Sequence, residues 1–140
     1  MTGYKFSHAS RAQLDTCHPD LVRLFEEIIR HRDCTIVEGK RDKARQDELL
    51  RQGTTTLAWP KSKHNVLGPN SLSLAVDAAP YFSGEGIPWD DRERWLAWGG
   101  FVRGVAAPMG IDVRWGGDWS GDWIFADQKF HDMPHFELVE

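Results

Sequence analysis

Four side chains have the types and positions needed for hydrolytic chemistry with a metal ion. His64 lies in the polar segment 62–65, ahead of an apolar run that contains Asp77. His135 lies in an alternating segment near the end of the chain, three residues after Asp132. Since burying an unpartnered carboxylate is costly, Asp77 in its apolar surroundings indicates either an arginine partner or a nearby metal ion.

Two imidazoles and one carboxylate can bind zinc tetrahedrally and leave the fourth position for water. Hydrolysis then needs a second, unligated carboxylate that takes a proton from this water and passes it to the leaving amine. The turn at 133–134 keeps Asp132 near whatever His135 binds, so Asp132 is the candidate base. Its neighbour His131 is expected to face away from the metal or to line the cleft. Spacing alone only suggests such a site, because it matches neither a zinc finger nor a His-Glu-x-x-His helix.

These side chains must be positioned by a small sheet and the helices around it. Helices are predicted from Pro19 onward, over 42–52 with Asp42 as cap, and after a capping box at 90–93. Strands are predicted over 34–38, 74–79, 111–115 and 134–139, and a long polar loop over 53–74. In the last strand, alternation places His135 and Glu137 on one face. About three helices outside a small, mostly antiparallel sheet predict an α+β fold.

Length and composition narrow the class of protein. The 140 residues suit a single domain over 1–140, and 41% hydrophobic with 27% charged residues excludes a disordered chain. A net charge of −4 disfavours nucleic-acid binding through phosphate neutralisation. No apolar run approaches the roughly 20 residues of a membrane span, and no secretory signal pattern is visible. Cys17 and Cys34 are expected to be buried, reduced thiols of a protein made in the cytosol.

Three segments resemble the signatures of the zinc D-alanyl-D-alanine and L-alanyl-D-glutamate peptidases, above all those of the phage endolysins among them. They are 62–64 (Ser-Lys-His), 75–77 (Ala-Val-Asp) and 132–138 (Asp-Met-Pro-His-Phe-Glu-Leu). Segment 38–41 (Glu-Gly-Lys-Arg) with Gln46, and segment 114–119 (Arg-Trp-Gly-Gly-Asp-Trp), are similar to two further stretches of that family. The matches follow the family's order from about residue 22 to residue 138.

The resemblance implies a fold of the hedgehog and D-alanyl-D-alanine peptidase kind and a set of functional residues. It implies that His64, Asp77 and His135 hold Zn2+. It also implies that Asp132 is the catalytic base, and that Arg41 is a second catalytic residue that binds substrate or the transition state. A guanidinium suits that role because it can bind a carboxylate with two hydrogen bonds. A surface salt bridge is the alternative role for Arg41.

Three further polar residues are open to two interpretations each. Gln46 either helps to bind substrate by orienting it or Arg41, or is a solvated residue of its helix. Ser62 is a candidate substrate-binding residue that can also hydrogen-bond near the metal ligands. Asp118 fits a functional residue and a turn residue after two glycines equally well.

The leading hypothesis is a zinc endopeptidase that hydrolyses the L-alanyl-D-glutamate bond of peptidoglycan stem peptides. It is expected to act as a monomer, with no nucleic-acid partner and no membrane insertion. The alternatives are a D-alanyl-D-alanine carboxypeptidase or dipeptidase, and a non-catalytic zinc-stabilised module that binds the cell wall. An unligated Asp132 counts against the non-catalytic module. The resemblance also implies a phage lysis enzyme that stays in the host cytoplasm until it is released to the cell wall or periplasm.

One departure from the family pattern concerns the spacing of the candidate ligands. His64 and Asp77 are 13 residues apart, more than in many members of the family, and the segment 66–73 contains what looks like an inserted turn. A longer loop costs little additional closure entropy. The ligand set is therefore expected to survive the insertion.

Overall fold

Four α-helices and a four-stranded sheet make up the described part of the chain, which covers residues 3–66, 71–128 and 131–139 of this computed structural model. The helices are α1 (His8–Leu14), α2 (Pro19–Ile29), α3 (Lys43–Arg51) and α4 (Arg92–Ala106). The strands are β1 (Cys34–Glu38), β2 (Ala75–Pro80), β3 (Val113–Trp115) and β4 (His135–Leu138). Two single 3-10 turns cover Ala107–Met109 and Phe125–Asp127. The predicted α+β class is confirmed.

The sheet has the order β1-β2-β4-β3, and each neighbouring pair is antiparallel. The register of the two central strands places Asp77 directly opposite His135. On its other side Asp77 pairs with Glu38, next to an irregularity in β1. Cross-strand partners have their side chains on the same face of a sheet. The sheet therefore places the side chains of Glu38, Asp77 and His135 next to one another on one face.

The opposite face of the sheet carries the core. Phe136, between His135 and Glu137 in β4, is fully buried, and its ring centroid lies 6.0 Å from that of Phe25 and 6.4 Å from that of Trp115. Helices α2 and α4 supply many of the other buried apolar side chains, which include Leu21, Leu24, Ile28, Trp95, Trp98 and Val102. The packing of Phe136 thus keeps its two neighbours on the other face of the strand, as the alternation predicts.

Helix boundaries follow the predicted caps with one correction, and one helix was not predicted. Pro19 opens α2, and Asp42 caps α3 by accepting a hydrogen bond from the backbone of Arg45. The cap of α4 is Asp91 rather than the first residue of the predicted box at 90–93. Helix α1 is not predicted from the sequence. It is short, but the hydroxyl of Ser10 accepts a hydrogen bond from the backbone of Ile36, and this contact ties α1 to β1.

The long loop begins with Gly53, whose φ of 74° allows the chain to leave α3. Residues 67–70, the centre of the inserted turn expected within 66–73, lie outside the described residues. The loop rejoins the domain at Ser73, whose backbone pairs with that of Cys17. Cys17 and Cys34 are buried free thiols, as expected. Across the described ranges, none of the helices combines the length and the apolar character that crossing a bilayer requires.

Candidate metal centre

Three side chains from separate parts of the chain converge on one point. The Nε2 atom of His64 lies 3.2 Å from Oδ1 of Asp77 and 3.2 Å from Nδ1 of His135. The distance between His135 Nδ1 and Asp77 Oδ1 is 3.3 Å. The structure thus brings together the three predicted metal ligands, with both imidazoles buried.

The spacing of these atoms suits a small divalent ion. Donors about 2.0–2.1 Å from a tetrahedral zinc ion lie about 3.3 Å from one another. The three measured separations of 3.2, 3.2 and 3.3 Å agree with that triangle. Two imidazoles with one carboxylate also favour zinc or a similar transition metal over Ca2+ or Mg2+, which prefer oxygen ligands. The group fits a metal that takes three protein ligands and keeps a fourth position open.

Hydrogen bonds on the outer side of each imidazole fix its orientation. The Nδ1 atom of His64 is 2.7 Å from the carbonyl oxygen of Gly39, to which it donates. Nε2 of His135 is 2.8 Å from a carboxylate oxygen of Glu137 and donates to it. Each ring therefore has its other nitrogen free to bind an ion, because a neutral imidazole carries only one N–H.

His64 is positioned by backbone contacts rather than by a regular element. Its carbonyl accepts a hydrogen bond of 2.8 Å from the backbone of Arg41. Its own N–H lies 3.2 Å from the hydroxyl of Ser62, which accepts from it. Ser62 is buried, and its predicted place near the ligands is what the structure shows. These contacts hold the loop residue against the end of β1.

The charges of this cluster are strongly coupled. Burial by itself would raise the pKa of Asp77, but His64 and His135 outweigh it and hold that pKa well below its usual range. Burial would lower the pKa of His135, but its hydrogen bonds with Asp77 and Glu137 raise it to about 9. A divalent ion at this point competes with a proton for the same lone pair of His135, so metal binding releases protons.

Asp132 lies beside the three candidate ligands and is not part of their cluster. Its Oδ2 atom is 3.9 Å from Nδ1 of His135, and its side chain is 34% exposed. Its backbone N–H donates to the carbonyl of Gly116 at 2.9 Å, which fixes the approach to β4. Burial, followed by the negative charge of Asp77, raises the pKa of Asp132 to about 6. The carboxyl is therefore close to the cluster and open to the cleft.

Arg41 lies on the other side of Asp77, in a buried network. One guanidinium nitrogen is 3.0 Å from the side-chain oxygen of Gln46, and another is 2.9 Å from Glu38 and 3.7 Å from Oδ2 of Asp77. Gln46 is fully buried and Arg41 is only 7% exposed. The surface interpretations of both residues are wrong. Within the described part of the chain, Nε of Arg41 is buried and has no hydrogen-bond partner.

Two carboxylates of the site were not assigned a role from the sequence. The carboxylate of Glu137 accepts a hydrogen bond from His135. Its Oε2 atom also lies 3.5 Å from Nζ of Lys63 and 3.5 Å from Nη1 of Arg114. Burial alone would raise the pKa of Glu137, but the contact with His135 leads to a net decrease. Glu38 binds Arg41. The alternation of β4 places Glu137 on the same face as His135, and this pattern is the feature of the sequence that could have revealed the role of Glu137.

The structure also gives defined positions to Asp118 and His131, for each of which the sequence left two interpretations open. Asp118 is buried and forms an ion pair of 3.0 Å with Arg103, so it anchors its turn. His131 lines the cleft, as one of its two expected placements required, and its Nδ1 lies 3.2 Å from the side-chain amide of Gln128. The ring centroid of Trp119 lies 5.3 Å from that of His135, so Trp119 covers one side of this imidazole.

The cluster opens into a cavity of about 700 Å³. Its walls combine the ionisable residues with apolar and hydroxyl side chains, including Leu57, Thr54, Trp89, Trp95, Trp119 and Met133. A volume of this size is typical of a site for a ligand of several residues or rings.

Comparisons with known proteins agree with one another. The family described as phage L-alanyl-D-glutamate peptidase has a sequence model that matches residues 2–139 of this chain. The L-alanyl-D-glutamate peptidase of Escherichia phage T5 is 30% identical over 141 residues, covering 97% of this chain and 98% of that protein. Among solved structures, the L-Ala D-Glu endopeptidase ChiX of Serratia marcescens has a TM-score of 0.72 and 29% identity, covering 98% of this chain and 92% of that chain.

Proposed function

Because this chain belongs to the phage L-alanyl-D-glutamate peptidase family, we propose that it hydrolyses the L-alanyl-D-glutamate bond of peptidoglycan stem peptides with a zinc ion held by His64, Asp77 and His135. The chain is a peptidase in this proposal, and peptidoglycan is its substrate.

The observation that carries it is the meeting of three donor atoms beside a fourth carboxylate that is not a donor. The donors are 3.2–3.3 Å apart, and Asp132 lies 3.9 Å from one of them. A purely structural zinc site more often has four protein ligands. Three ligands and a free carboxylate in an open cleft support hydrolysis over simple binding.

Bound zinc would supply a Lewis acid that activates water and polarises the scissile carbonyl. Asp132 accepts a proton from the attacking water and donates it to the nitrogen of the departing D-glutamate as the C–N bond breaks. Its position favours this exchange, because the backbone N–H of Asp132 donates to the carbonyl of Gly116 and its side chain lines the cleft. One residue then serves both as general base and as general acid.

Arg41 provides positive charge next to Asp77. Its guanidinium is held by Glu38 and Gln46, so its position is fixed before substrate arrives. The unpartnered Nε is a further donor within this network. A fixed cation stabilises negative charge that develops on the substrate in the transition state without reorganisation. Gln46 acts by orienting Arg41, and Ser62 by holding His64.

Digestion of purified sacculi followed by mass analysis tests the reaction. Release of stem peptides that begin at D-glutamate supports the proposal, whereas loss of terminal D-alanine supports a D-alanyl-D-alanine peptidase. No release of either, from protein that contains zinc, supports a binding module. A chelator should abolish hydrolysis while the fold persists, and added zinc should restore it.

Variants separate the ligands from the base. His135→Ala or Asp77→Ala should lose zinc together with activity, whereas Asp132→Ala should keep zinc and lose about 100-fold or more of the turnover. His131→Ala is the matched control, because it removes a neighbouring imidazole that lies outside the donor cluster. Turnover near the wild-type rate in Asp132→Ala would show that another group is the base.

Membership of a phage peptidase family supports a proposal for the cellular setting. We propose that the protein remains in the host cytoplasm until it is released to the cell wall, and that it works as a monomer. Size-exclusion chromatography with light scattering tests this point, and a dimer mass would contradict it.

A further inference from the structure

One wall of the catalytic cavity carries an exposed tryptophan that the mechanism does not use. Trp89 is 56% exposed and lines the same cavity as His64, Asp77 and His135. Exposed apolar surface that lines a groove can mark a ligand site, whereas a single exposed apolar side chain is ordinary on a protein surface. Its place in the wall of this cavity, rather than its exposure alone, makes the ring of Trp89 a candidate ligand contact.

The indole of Trp89 is held in place from below. Its ring stacks on that of Trp95 with a centroid distance of 5.3 Å and an interplanar angle of 27°. Trp95 is buried, and its indole N–H donates to the carbonyl of Pro88 at 2.9 Å. The backbone N–H of Trp89 donates to the carbonyl of Ile87, also at 2.9 Å. One face of Trp89 is thus covered, and the other is presented as a rigid flat surface.

The chemistry of the substrate limits what can lie on this surface. In a stem peptide the residues after the scissile bond are D-glutamate, a diamino acid and D-alanine, which are charged or very small. On the other side of the bond, a single L-alanine joins the lactyl group of N-acetylmuramic acid. One residue spans about 3.5 Å, so a pyranose ring lies close to the reacting carbonyl. The C–H face of a pyranose packs well on an indole, whereas the peptide groups offer no comparable flat apolar face.

We propose that the open face of Trp89 is a subsite for the N-acetylmuramic acid ring of the glycan strand. The proposal rests on the proposed function, and it deepens that function by extending recognition from the peptide to the sugar. Trp89 would favour stem peptides that are still attached to glycan over free peptides.

Two soluble substrates test the subsite, one a muramyl peptide and the other the same peptide with an N-acetyl group in place of the sugar. Trp89→Ala should lower kcat/KM for the muramyl peptide about tenfold, which corresponds to about 1.4 kcal/mol and is of the size expected for an aromatic contact. The same variant should change kcat/KM for the sugar-free peptide by less than about twofold. Trp89→Phe should retain most of the preference for the muramyl peptide.

Trp123→Ala is the matched control. Trp123 is 64% exposed, but its ring is covered by the guanidinium of Arg103 at 4.6 Å. Trp123→Ala should leave kcat/KM for both substrates unchanged. Equal losses on the two substrates in Trp89→Ala, or no loss on either, would overturn the sugar subsite.

Calorimetry with the two compounds separates this proposal from the proposed function. If wild type cleaves neither compound, the reaction is wrong, but the subsite still requires tighter binding of the muramyl peptide by wild type than by Trp89→Ala. Equal binding by the two proteins would overturn the subsite by itself. Zinc content and Tm, measured for every variant, exclude a difference in folding.

Discussion

Replacing Gly116 by alanine should displace the carboxyl of Asp132, the proposed base, while leaving the proposed metal in place. A Cβ atom on Gly116 would lie 2.9 Å from Cβ of Asp132 and closer still to the Asp132 carbonyl oxygen. Ordinary van der Waals contact begins at 3.4 Å. The neighbouring atoms are mainly backbone, so the Asp132 segment must retreat by roughly 1 Å to accept the methyl group.

The expected loss follows from that displacement. Moving a catalytic group by about 1 Å can lower a rate by about 100-fold. We therefore expect kcat of Gly116→Ala to fall about 100-fold. Zinc content should be unchanged, because His64 and Asp77 lie on other segments and the pairing of His135 with Asp77 fixes His135 within β4. Overpacking of this kind costs about 1–3 kcal/mol of folding free energy, less than the roughly 5–15 kcal/mol of a typical domain. The variant should therefore stay folded at 25 °C.

Hydrolysis of the sugar-free stem peptide, with zinc measured in the same samples, provides the assay. Gly100→Ala is the matched control, since a Cβ atom there meets no atom within 4 Å, and it should retain the wild-type kcat. A wild-type kcat in Gly116→Ala would refute the reasoning, and so would a decrease that matches a loss of zinc.

Two further predictions concern the support of His135 and the buried thiols. Glu137→Gln should weaken metal binding about 10- to 100-fold, because the carboxylate 2.8 Å from Nε2 of His135 is replaced by a neutral amide; competition with a chromogenic chelator measures this, and an unchanged affinity contradicts the role of Glu137. Burial raises the pKa of both Cys17 and Cys34 to about 12, so at pH 8 both should react with a thiol reagent only on unfolding. The buried thiols keep their protons at pH values above about 8.5, the pKa of a thiol in the unfolded chain. Their contribution to the free energy of unfolding should therefore be complete below that pH and decrease as the pH rises towards 12. Rapid labelling of the native protein would contradict their burial.

Much of the fold could be predicted from local patterns. Strand β1 has the predicted bounds, one residue beyond its β-branched run at each end, and α3 begins after the aspartate that caps it. These features depend on the preferences of neighbouring residues, which a sequence displays directly. Helix α1 escaped prediction because it has only seven residues, and its contacts with β1 are long-range in the sequence.

The same difference between local patterns and long-range contacts applies to the candidate site. Residue types and motifs indicated His64, Asp77 and His135 as ligands and Asp132 as the base, and alternation placed Glu137 beside His135. That Gln46 and Arg41 are buried partners of one network could not be read from a helix whose composition is mostly charged.

The sequence by itself determined which side chains are available and which face of each element they occupy, because these properties depend on local backbone geometry. Only the tertiary structure decided that Asp77 stands opposite His135, and that a histidine 71 residues away from His135 comes within 3.2 Å of it. The register of β2 and β4 and the path of the loop depend on how the whole core packs around Phe136. No short segment contains that information, because the contacts that set it join residues far apart in the chain.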